Sequence, residues 1–216
     1  MKYFAIGLFC CVLSMFTKVG AQGISLGPKA GLTLSGQHNN GDYNVLKTGL
    51  EYGLFVKVPI TERIGVLSEV LITQKGYKKS FNKQLFDQLT TTYLQIPILI
   101  TYKIFPGKAD GLVVNFGPYY GRWLSGKYAS KISEDSKVIN EDYEFTSIYD
   151  GDGFKDNRNE LGLAIGISYS IPKSALIFDI RYCHGLMPVE NWQQPNNQKA
   201  KFNYNFVCGL MLKILK

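Results

Sequence analysis

The residues near the C-terminus, 201–215, alternate between two kinds of side chain over a long run. Every second residue from Phe202 to Ile214 is bulky and apolar, and the residues between them are mostly small or polar. A period of two is typical of a β-strand, because successive side chains point to opposite faces. Strands average about 5–6 residues, whereas a strand that crosses a bilayer in a barrel needs roughly 9–11. The stretch therefore favours a membrane-crossing strand.

Seven earlier stretches repeat this alternation, which gives eight predicted strands. Their connections differ in length: the second, fourth and sixth are short, and the first, third, fifth and seventh are long. This asymmetry is typical of small outer-membrane barrels, which have short periplasmic turns and long external loops. The predicted strands are 24–35, 48–58, 64–77, 91–105, 112–128, 160–171, 175–186 and 201–215.

The volume of the apolar rows predicts which face of each strand points outwards. An eight-stranded barrel has an interior just wide enough for side chains to fill. Nearly every strand carries several large Leu, Ile, Phe or Tyr side chains on one row, which is too much volume for that interior. The opposite rows hold many glycines among a few long polar residues, and that mixture fits. The apolar rows are therefore expected to face lipid, and closure of the barrel satisfies every backbone group.

The inward rows carry charged residues on most strands. Buried charges are tolerable only when they are paired and hydrogen-bonded, so we expect a polar network that plugs the lumen. An ion or proton path is the alternative. The expected lumenal network consists of Lys29, Glu51, Lys57, Glu69, Lys75, Lys103, Glu160, Asp179, Arg181 and Lys213.

The N-terminus has the pattern of a secretory signal peptide. Met1 and Lys2 form a short basic region, residues 4–16 are apolar, and Val19-Gly20-Ala21 offers the small residues that a signal peptidase recognises. Residues 1–21 are thus predicted to be a signal peptide and residues 22–216 the barrel domain. No later stretch approaches the 18 or more apolar residues of a spanning helix, so membrane insertion must use strands.

Charge and cysteine content narrow the function classes. The formal charge of the chain is +7, but the basic residues are scattered and not clustered with exposed aromatics, so nucleic acid is not an expected partner. The mature chain keeps Cys183 and Cys208, which the alternation places on opposite faces of neighbouring strands. We therefore expect no disulfide between them.

No arrangement of residues in the sequence predicts catalysis or a cofactor. The two histidines, His38 and His184, have no nucleophile and acid at a recognisable spacing. Residues 150–156 resemble the start of a calcium loop, but the fifth position is Phe154, where an oxygen ligand is required. The protein is thus expected to be non-enzymatic, with no cofactor and no metal; a barrel enzyme acting on lipid or peptide is the alternative.

Aromatic residues are expected at the outer mouth and in two girdles. Tyr119 and Trp123 fall on the inward row near the mouth, where they could join Tyr128 and loop 129–158 in a binding surface. We expect them instead to close the mouth by packing under that loop. The predicted girdles are an outer ring of Phe202, Tyr204, Tyr182 and Tyr120 and an inner ring of Tyr102, Tyr169 and Phe178.

Short motifs spread over nearly the whole mature chain resemble a known family. They are Gly27-Pro28-Lys29-Ala30-Gly31-Leu32, Glu69 with Gln74-Lys75-Gly76, Tyr93-Leu94-Gln95-Ile96-Pro97, Gly117-Pro118-Tyr119-Tyr120-Gly121 and Asp179-Ile180-Arg181-Tyr182. Their order and spacing resemble the PorT-like outer-membrane β-barrel proteins of Bacteroidota. The resemblance implies an outer-membrane barrel. PorT is associated with protein secretion, but most of its relatives have no assigned task, and secretion is not inferred for this chain.

The sequence therefore predicts an all-β protein: an eight-stranded antiparallel up-and-down transmembrane β-barrel preceded by a signal peptide, in the outer membrane of a Gram-negative envelope. The barrel wall is expected to contact outer-membrane lipid. The external loops are expected to contact another protein or to serve an envelope or secretion complex. A secreted soluble lipocalin-like barrel that binds a small apolar ligand is the alternative, because it also has alternating strands.

Overall fold

Twelve strands are present among the residues that the computed structural model describes. These are residues 23–38, 44–80, 85–105, 111–131, 133, 136–145, 154–192 and 201–214. The predicted signal peptide lies outside them. In chain order the strands are β1 (Ser25–His38), β2 (Asn44–Val45), β3 (Lys47–Pro59), β4 (Ile64–Ser80), β5 (Phe86–Lys103), β6 (Leu112–Lys131), β7 (Ile139–Asp142), β8 (Phe154–Asp156), β9 (Asn159–Ser170), β10 (Leu176–Gly185), β11 (Glu190–Trp192) and β12 (Phe202–Leu212).

The eight long strands close into one antiparallel ring in the order β1, β3, β4, β5, β6, β9, β10, β12. The ring is closed by β1 and β12, which pair from Lys29 opposite Met211 to His38 opposite Phe202. Each strand therefore pairs with its sequence neighbour among the long strands, which is the predicted up-and-down topology. A closed ring leaves no strand edge unpaired within the wall. No helix in the described part of the chain is long and apolar enough to span a bilayer.

The apolar rows lie on the outside of the barrel, as predicted. Ile100 is 61% exposed and Ile165 is 53% exposed, whereas Lys29 and Arg181 are each 2% exposed. Such a wall requires an apolar solvent, and closure provides every wall strand with backbone partners inside lipid. Cys183 is buried and Cys208 is exposed, and both are free thiols, which agrees with their predicted placement on opposite faces.

One end of the barrel has short connections, and we assign it to the periplasm on the asymmetry of outer-membrane barrels. In the β3–β4 turn, Ile60 N donates to Ile64 O over 2.8 Å, and Thr61 Oγ1 accepts from Ile64 N over 2.9 Å. The β9–β10 turn contains Lys173 in a left-handed conformation (φ 59°). Most of the second predicted short turn, 106–111, lies outside the described residues.

The long connections contain more strand than the sequence predicted. Residues 78–89 are expected to form a loop, but β4 continues to Ser80 and β5 begins at Phe86. The predicted loop 129–158 contains β7 and β8, and β8 pairs with β11 from the next predicted loop. The 18 residues of β5 span about 60 Å at about 3.4 Å per residue, far more than the roughly 9–11 residues needed for a crossing. We name the part of β4, β5 and β6 beyond the outer mouth, with β2 and β7, the external sheet.

A bulge in β6 corrects the predicted face of one residue. Thr92 lies opposite Ser125 and Tyr93 lies opposite Trp123, so Leu124 has no partner in the ladder. An extra residue in one strand reverses the alternation beyond it. The alternation that puts Tyr119 and Trp123 on the inward row predicts the same face for Ser125; that prediction is wrong, because the Ser125 side chain is exposed.

Candidate functional site

The centre of the lumen is filled by five charged side chains that four strands bring together, and we name them the central cluster. Lys29 Nζ lies 3.0 Å from Asp179 Oδ2 and 3.3 Å from Glu69 Oε1. It also lies 3.1 Å from Glu51 Oε1, but this contact lacks hydrogen-bond geometry, so we regard it as an ion pair only. Both Nη atoms of Arg181 donate to the Glu69 carboxylate, and Nη2 also lies 3.1 Å from Asp179 Oδ2.

Three neutral side chains outside the predicted network also belong to the central cluster. Ser168 Oγ donates to Asp179 Oδ1 over 2.7 Å, and Asn115 Nδ2 donates to the same oxygen over 3.4 Å. Thr73 Oγ1 donates to Glu51 Oε2 over 3.1 Å. A buried carboxylate keeps its charge only when its lone pairs find donors, so these groups are part of what holds the cluster. The sequence indicated these residues only by their position on the inward rows of the strands.

A second ion pair lies nearer the outer mouth. Lys75 Nζ lies 2.7 Å from Glu160 Oε1 and sits over the rings of Tyr93 and Tyr119, at 5.0 and 4.8 Å from their centroids. Tyr119 donates its hydroxyl to Glu160 Oε1, and Asn203 Nδ2 donates to Glu160 Oε2 over 2.7 Å. Charge pairing and cation–π contacts together stabilise Lys75 at full burial.

The wall is shaped to admit the Tyr119 ring. A Cβ at Gly162 would lie 2.4 Å from that ring and 2.4 Å from the carbonyl oxygen of His184. Only glycine leaves this space, because a side chain there would displace either the ring or the backbone of the neighbouring strand. The inward glycines thus make room for large lumenal groups, as predicted from their position on the inward rows.

Three residues of the expected network stand apart from both ion-paired groups. Lys57, Lys103 and Lys213 line a cavity at the periplasmic end, and no carboxylate oxygen of the described residues lies within 4 Å of them. The other seven form the central cluster and the Lys75–Glu160 pair. The ion-paired network is therefore smaller than the set of ten residues predicted from the sequence.

An aromatic cluster covers the outer mouth. Trp123 stacks on Tyr143, with ring centroids 5.1 Å apart, and meets Phe145 edge-on at 4.9 Å. The guanidinium of Arg158 lies 4.0 Å from the Phe145 centroid and donates to the Trp123 carbonyl. Below, Tyr93 stacks on Trp123 at 6.0 Å. Of the two interpretations of Trp123, the geometry supports packing under the loop.

A hydrogen bond holds Tyr143 of the loop in place within the aromatic cluster. The hydroxyl of Tyr143 donates to Asp156 Oδ1 over 2.9 Å. Burial, and then the negative charge of Asp156, raises the pKa of Tyr143 above its usual value. The tyrosine therefore keeps its proton, and its role as donor, throughout the physiological pH range.

His184, the histidine considered for catalysis, is not part of the lumenal network. His184 is on the outer face, where its Nδ1 lies 3.1 Å from the Tyr182 hydroxyl. Tyr182 packs on Phe206 at 4.9 Å, as expected of an aromatic girdle at an interface. Within the described ranges, no three His, Cys, Asp or Glu residues are grouped to hold a metal ion. The calcium-like residues 150–153 lie outside those ranges.

We expect the substitution Trp123→Ala to release the external loop without unfolding the wall. Aromatic pairs contribute about 0.5–1.5 kcal/mol each beyond buried area, and two such pairs hold Tyr143 and Phe145. Cleavage between residues 131 and 154 by an added protease should therefore accelerate about tenfold or more. Leu124→Ala, which truncates the exposed neighbour, is the control. Unchanged cleavage in Trp123→Ala would show that the loop is held by other contacts.

A closed ring of eight strands with apolar groups outside, ion pairs inside and short turns at one end defines an integral outer-membrane β-barrel protein. The family model described as the outer membrane protein beta-barrel domain matches residues 20–191, and the chain belongs to this family. The protein is thus placed in the cell outer membrane, and the soluble lipocalin-like alternative is not favoured.

Three solved structures to which the chain is similar have low sequence identity to it. Ail, the attachment invasion locus protein of Yersinia pestis, is 13% identical, with 89% of this chain and 99% of that chain covered and a TM-score of 0.47. Neisserial surface protein A (NspA) is 12% identical, with 89% and 100% covered and a TM-score of 0.44. OprG of Pseudomonas aeruginosa is 13% identical, with 88% and 92% covered and a TM-score of 0.39. No curated protein sequence matches the chain.

Proposed function

We propose that this barrel is non-enzymatic, has a closed lumen and acts by contacting a protein partner through its external sheet. The observation that carries the proposal is β7. In the part of the chain that the structure describes, β7 pairs only with β6, and all four of its residues are exposed. An open strand edge is a template for a further strand.

The composition around β7 suits a protein partner. Val138 and Ile139 are both exposed large apolar residues at one end of the strand, and Glu141 and Asp142 follow them. Apolar anchors beside a polar rim are typical of protein interfaces. An unpaired edge supplies main-chain hydrogen bonds, and the alternating side chains supply specificity.

The ladder geometry identifies which β7 amides face the open edge. Tyr143 N donates to Gly126 O over 2.9 Å, and hydrogen-bonded pairs in an antiparallel ladder alternate with non-bonded ones. The N–H groups of Ile139 and Glu141 therefore face β6, and those of Asn140 and Asp142 face outwards. A proline at Asn140 removes an outward donor and leaves the β6–β7 ladder intact.

The test is a photo-cross-linking residue at Ile139 in living cells, with one at the periplasmic turn residue Ile60 for comparison. We expect a discrete adduct at Ile139 that is lost in Asn140→Pro and kept in the control Asn140→Ala. Adducts confined to Ile60 would contradict an external partner and favour an envelope or secretion complex on the periplasmic side.

The closed lumen is tested separately by electrical recording. The central cluster and the Lys75–Glu160 pair fill successive levels of the lumen with side chains that are almost fully buried. We therefore expect the purified protein in planar bilayers to show no stable channel steps. Regular single-channel conductance would contradict a closed lumen and would favour the ion path.

We further infer that the chain belongs to the PorT-like group of Bacteroidota. In support, residues of separate motifs meet in space: Lys29, Glu69, Asp179 and Arg181 form most of the central cluster. Groups that depend on one another for charge balance should be retained together. An alignment of relatives in which these four residues vary independently would contradict this inference.

A further inference from the structure

The periplasmic end of the lumen contains a cavity whose wall is strongly basic. The cavity has a volume of about 460 Å³, and the β3–β4 turn contributes Arg63 and Glu62 to its rim. Lys57, Lys103 and Lys213 also line it. The charged residues of the lining are therefore four basic residues and one acidic residue, although the Arg63 guanidinium donates to Tyr102 on the outer face, and we name this cavity the periplasmic vestibule.

The three lysines come from different parts of the wall. Lys57 lies two residues before the end of β3, Lys103 ends β5, and Lys213 directly follows β12. In the ring these strands run from β12 through β1, β3 and β4 to β5, so the lysines surround half of the circumference. Their charges repel one another across the vestibule, since Lys57 interacts unfavourably with both Lys103 and Lys213.

Glu62 on the rim is the acidic residue of the described lining, but no carboxylate oxygen within the described ranges lies within 4 Å of the three lysines. The carboxylate whose charge acts on Lys57 is Asp179, but Asp179 already pairs with Lys29 and Arg181. Converging like charges raise the energy of a fold unless a counter-ion joins them. Surface lysines point into solvent and can move apart. These three lysines line one cavity, so their charges stay close to one another.

The vestibule is closed towards the membrane centre. Val113 and Ile177 line it and are nearly fully buried, and Phe55, Leu67 and Met211 form an apolar layer with Ile177. Above this layer lies the central cluster. A blind basic cavity with apolar walls focuses its field on whatever enters from the open end.

We propose that the periplasmic vestibule binds a small phosphate-bearing anion. Three ammonium groups arranged around a cavity match a multiply charged group with several oxygens, and lysine is a common binder of phosphate. A volume of about 460 Å³ lies within the roughly 300–1,000 Å³ of small-molecule sites. The phosphate could belong to a soluble diphosphate or phosphate ester, or to a lipid headgroup of the inner leaflet.

The test uses the full barrel domain in a phosphate-free maltoside detergent, titrated with inorganic pyrophosphate by calorimetry at low ionic strength. We expect saturable one-to-one binding that weakens as salt is added. The variant K57Q/K103Q/K213Q should weaken binding about tenfold or more. The matched control K127Q/K131Q/K137Q removes the same charge at the external end and should leave binding unchanged.

Two further measurements test whether each variant is folded and whether the bound phosphate belongs to a lipid or to a soluble anion. Heat-modifiable gel migration confirms that each variant is folded, and the single variant Lys57→Gln replaces the triple variant if that one fails to fold. In phosphatidylcholine nanodiscs, added phosphatidylglycerol that competes with pyrophosphate assigns the site to a lipid headgroup, and absence of competition assigns it to a soluble anion. No saturable binding by the native chain, or equal loss in both triple variants, would overturn the proposal.

Discussion

Replacing Arg181 with Met is expected to lower the free energy of unfolding of the barrel by about 3–5 kcal/mol. Arg181 is 2% exposed and pairs with both Glu69 and Asp179. The substitution keeps most of the side-chain volume but leaves these two carboxylates sharing Lys29 alone. Breaking a buried ion pair is costly because the remaining charge stays desolvated without a partner. Reversible guanidinium unfolding of the protein refolded into lipid vesicles measures the change.

The control for this substitution is Glu51→Gln in the same cluster. The central cluster holds three carboxylates (Glu51, Glu69 and Asp179) against two cations, so removing one negative charge balances it. A glutamine at this position can still accept the Thr73 hydroxyl. We therefore expect a change of less than about 1 kcal/mol. Equal losses in Arg181→Met and Glu51→Gln would show that packing, and not charge pairing, stabilises the lumen.

Replacing Ile165 with Arg is expected to destabilise the barrel by about 2–4 kcal/mol in a bilayer. Ile165 lies midway along β9, four residues from Tyr169 at the inner girdle and four from Leu161, which pairs with Tyr120 of the outer girdle. Its side chain is 53% exposed, so in water the change would be nearly neutral. The cost arises only if lipid surrounds this position. Unfolding in vesicles measures it.

The same substitution outside the membrane provides the control. Ile139 on β7 is 45% exposed, close to the exposure of Ile165, but it belongs to the external sheet. Ile139→Arg should change the free energy of unfolding by less than about 0.5 kcal/mol. A similar small effect at Ile165 would contradict the lipid-facing assignment of the apolar rows.

Much of the barrel wall could be predicted from the sequence because alternation is a local property. Leu210 and Leu212 on one row, and Gly209 and Met211 on the other, already define the two faces of β12. The place where this failed was β6, since the bulge at Leu124 arises from pairing with β5 and reverses the face of Ser125. Residue patterns within one strand contain no information about such a register shift.

The external sheet was only partly predictable for a related reason. Residues 78–80, 87 and 88 are polar, and polar residues between apolar runs indicate a loop. They form strand because β4 and β5 pair with each other beyond the membrane, from Lys78 opposite Gln88 to Ser80 opposite Phe86. This part of the ladder lies in water, so neither of its faces has to be apolar. Alternation of hydropathy therefore does not reveal these strand residues.

By itself the sequence predicted a barrel with hydrocarbon outside and charge inside, because strand periodicity defines two faces and the apolar side chains are too large for the lumen of eight strands. Only the tertiary structure decided which charges meet. Lys29 and Asp179 are 150 residues apart, and their contact depends on the closure of the ring. The same closure leaves Lys57, Lys103 and Lys213 with no described carboxylate oxygen within 4 Å, since pairing between distant strands is set by the shape of the whole cylinder.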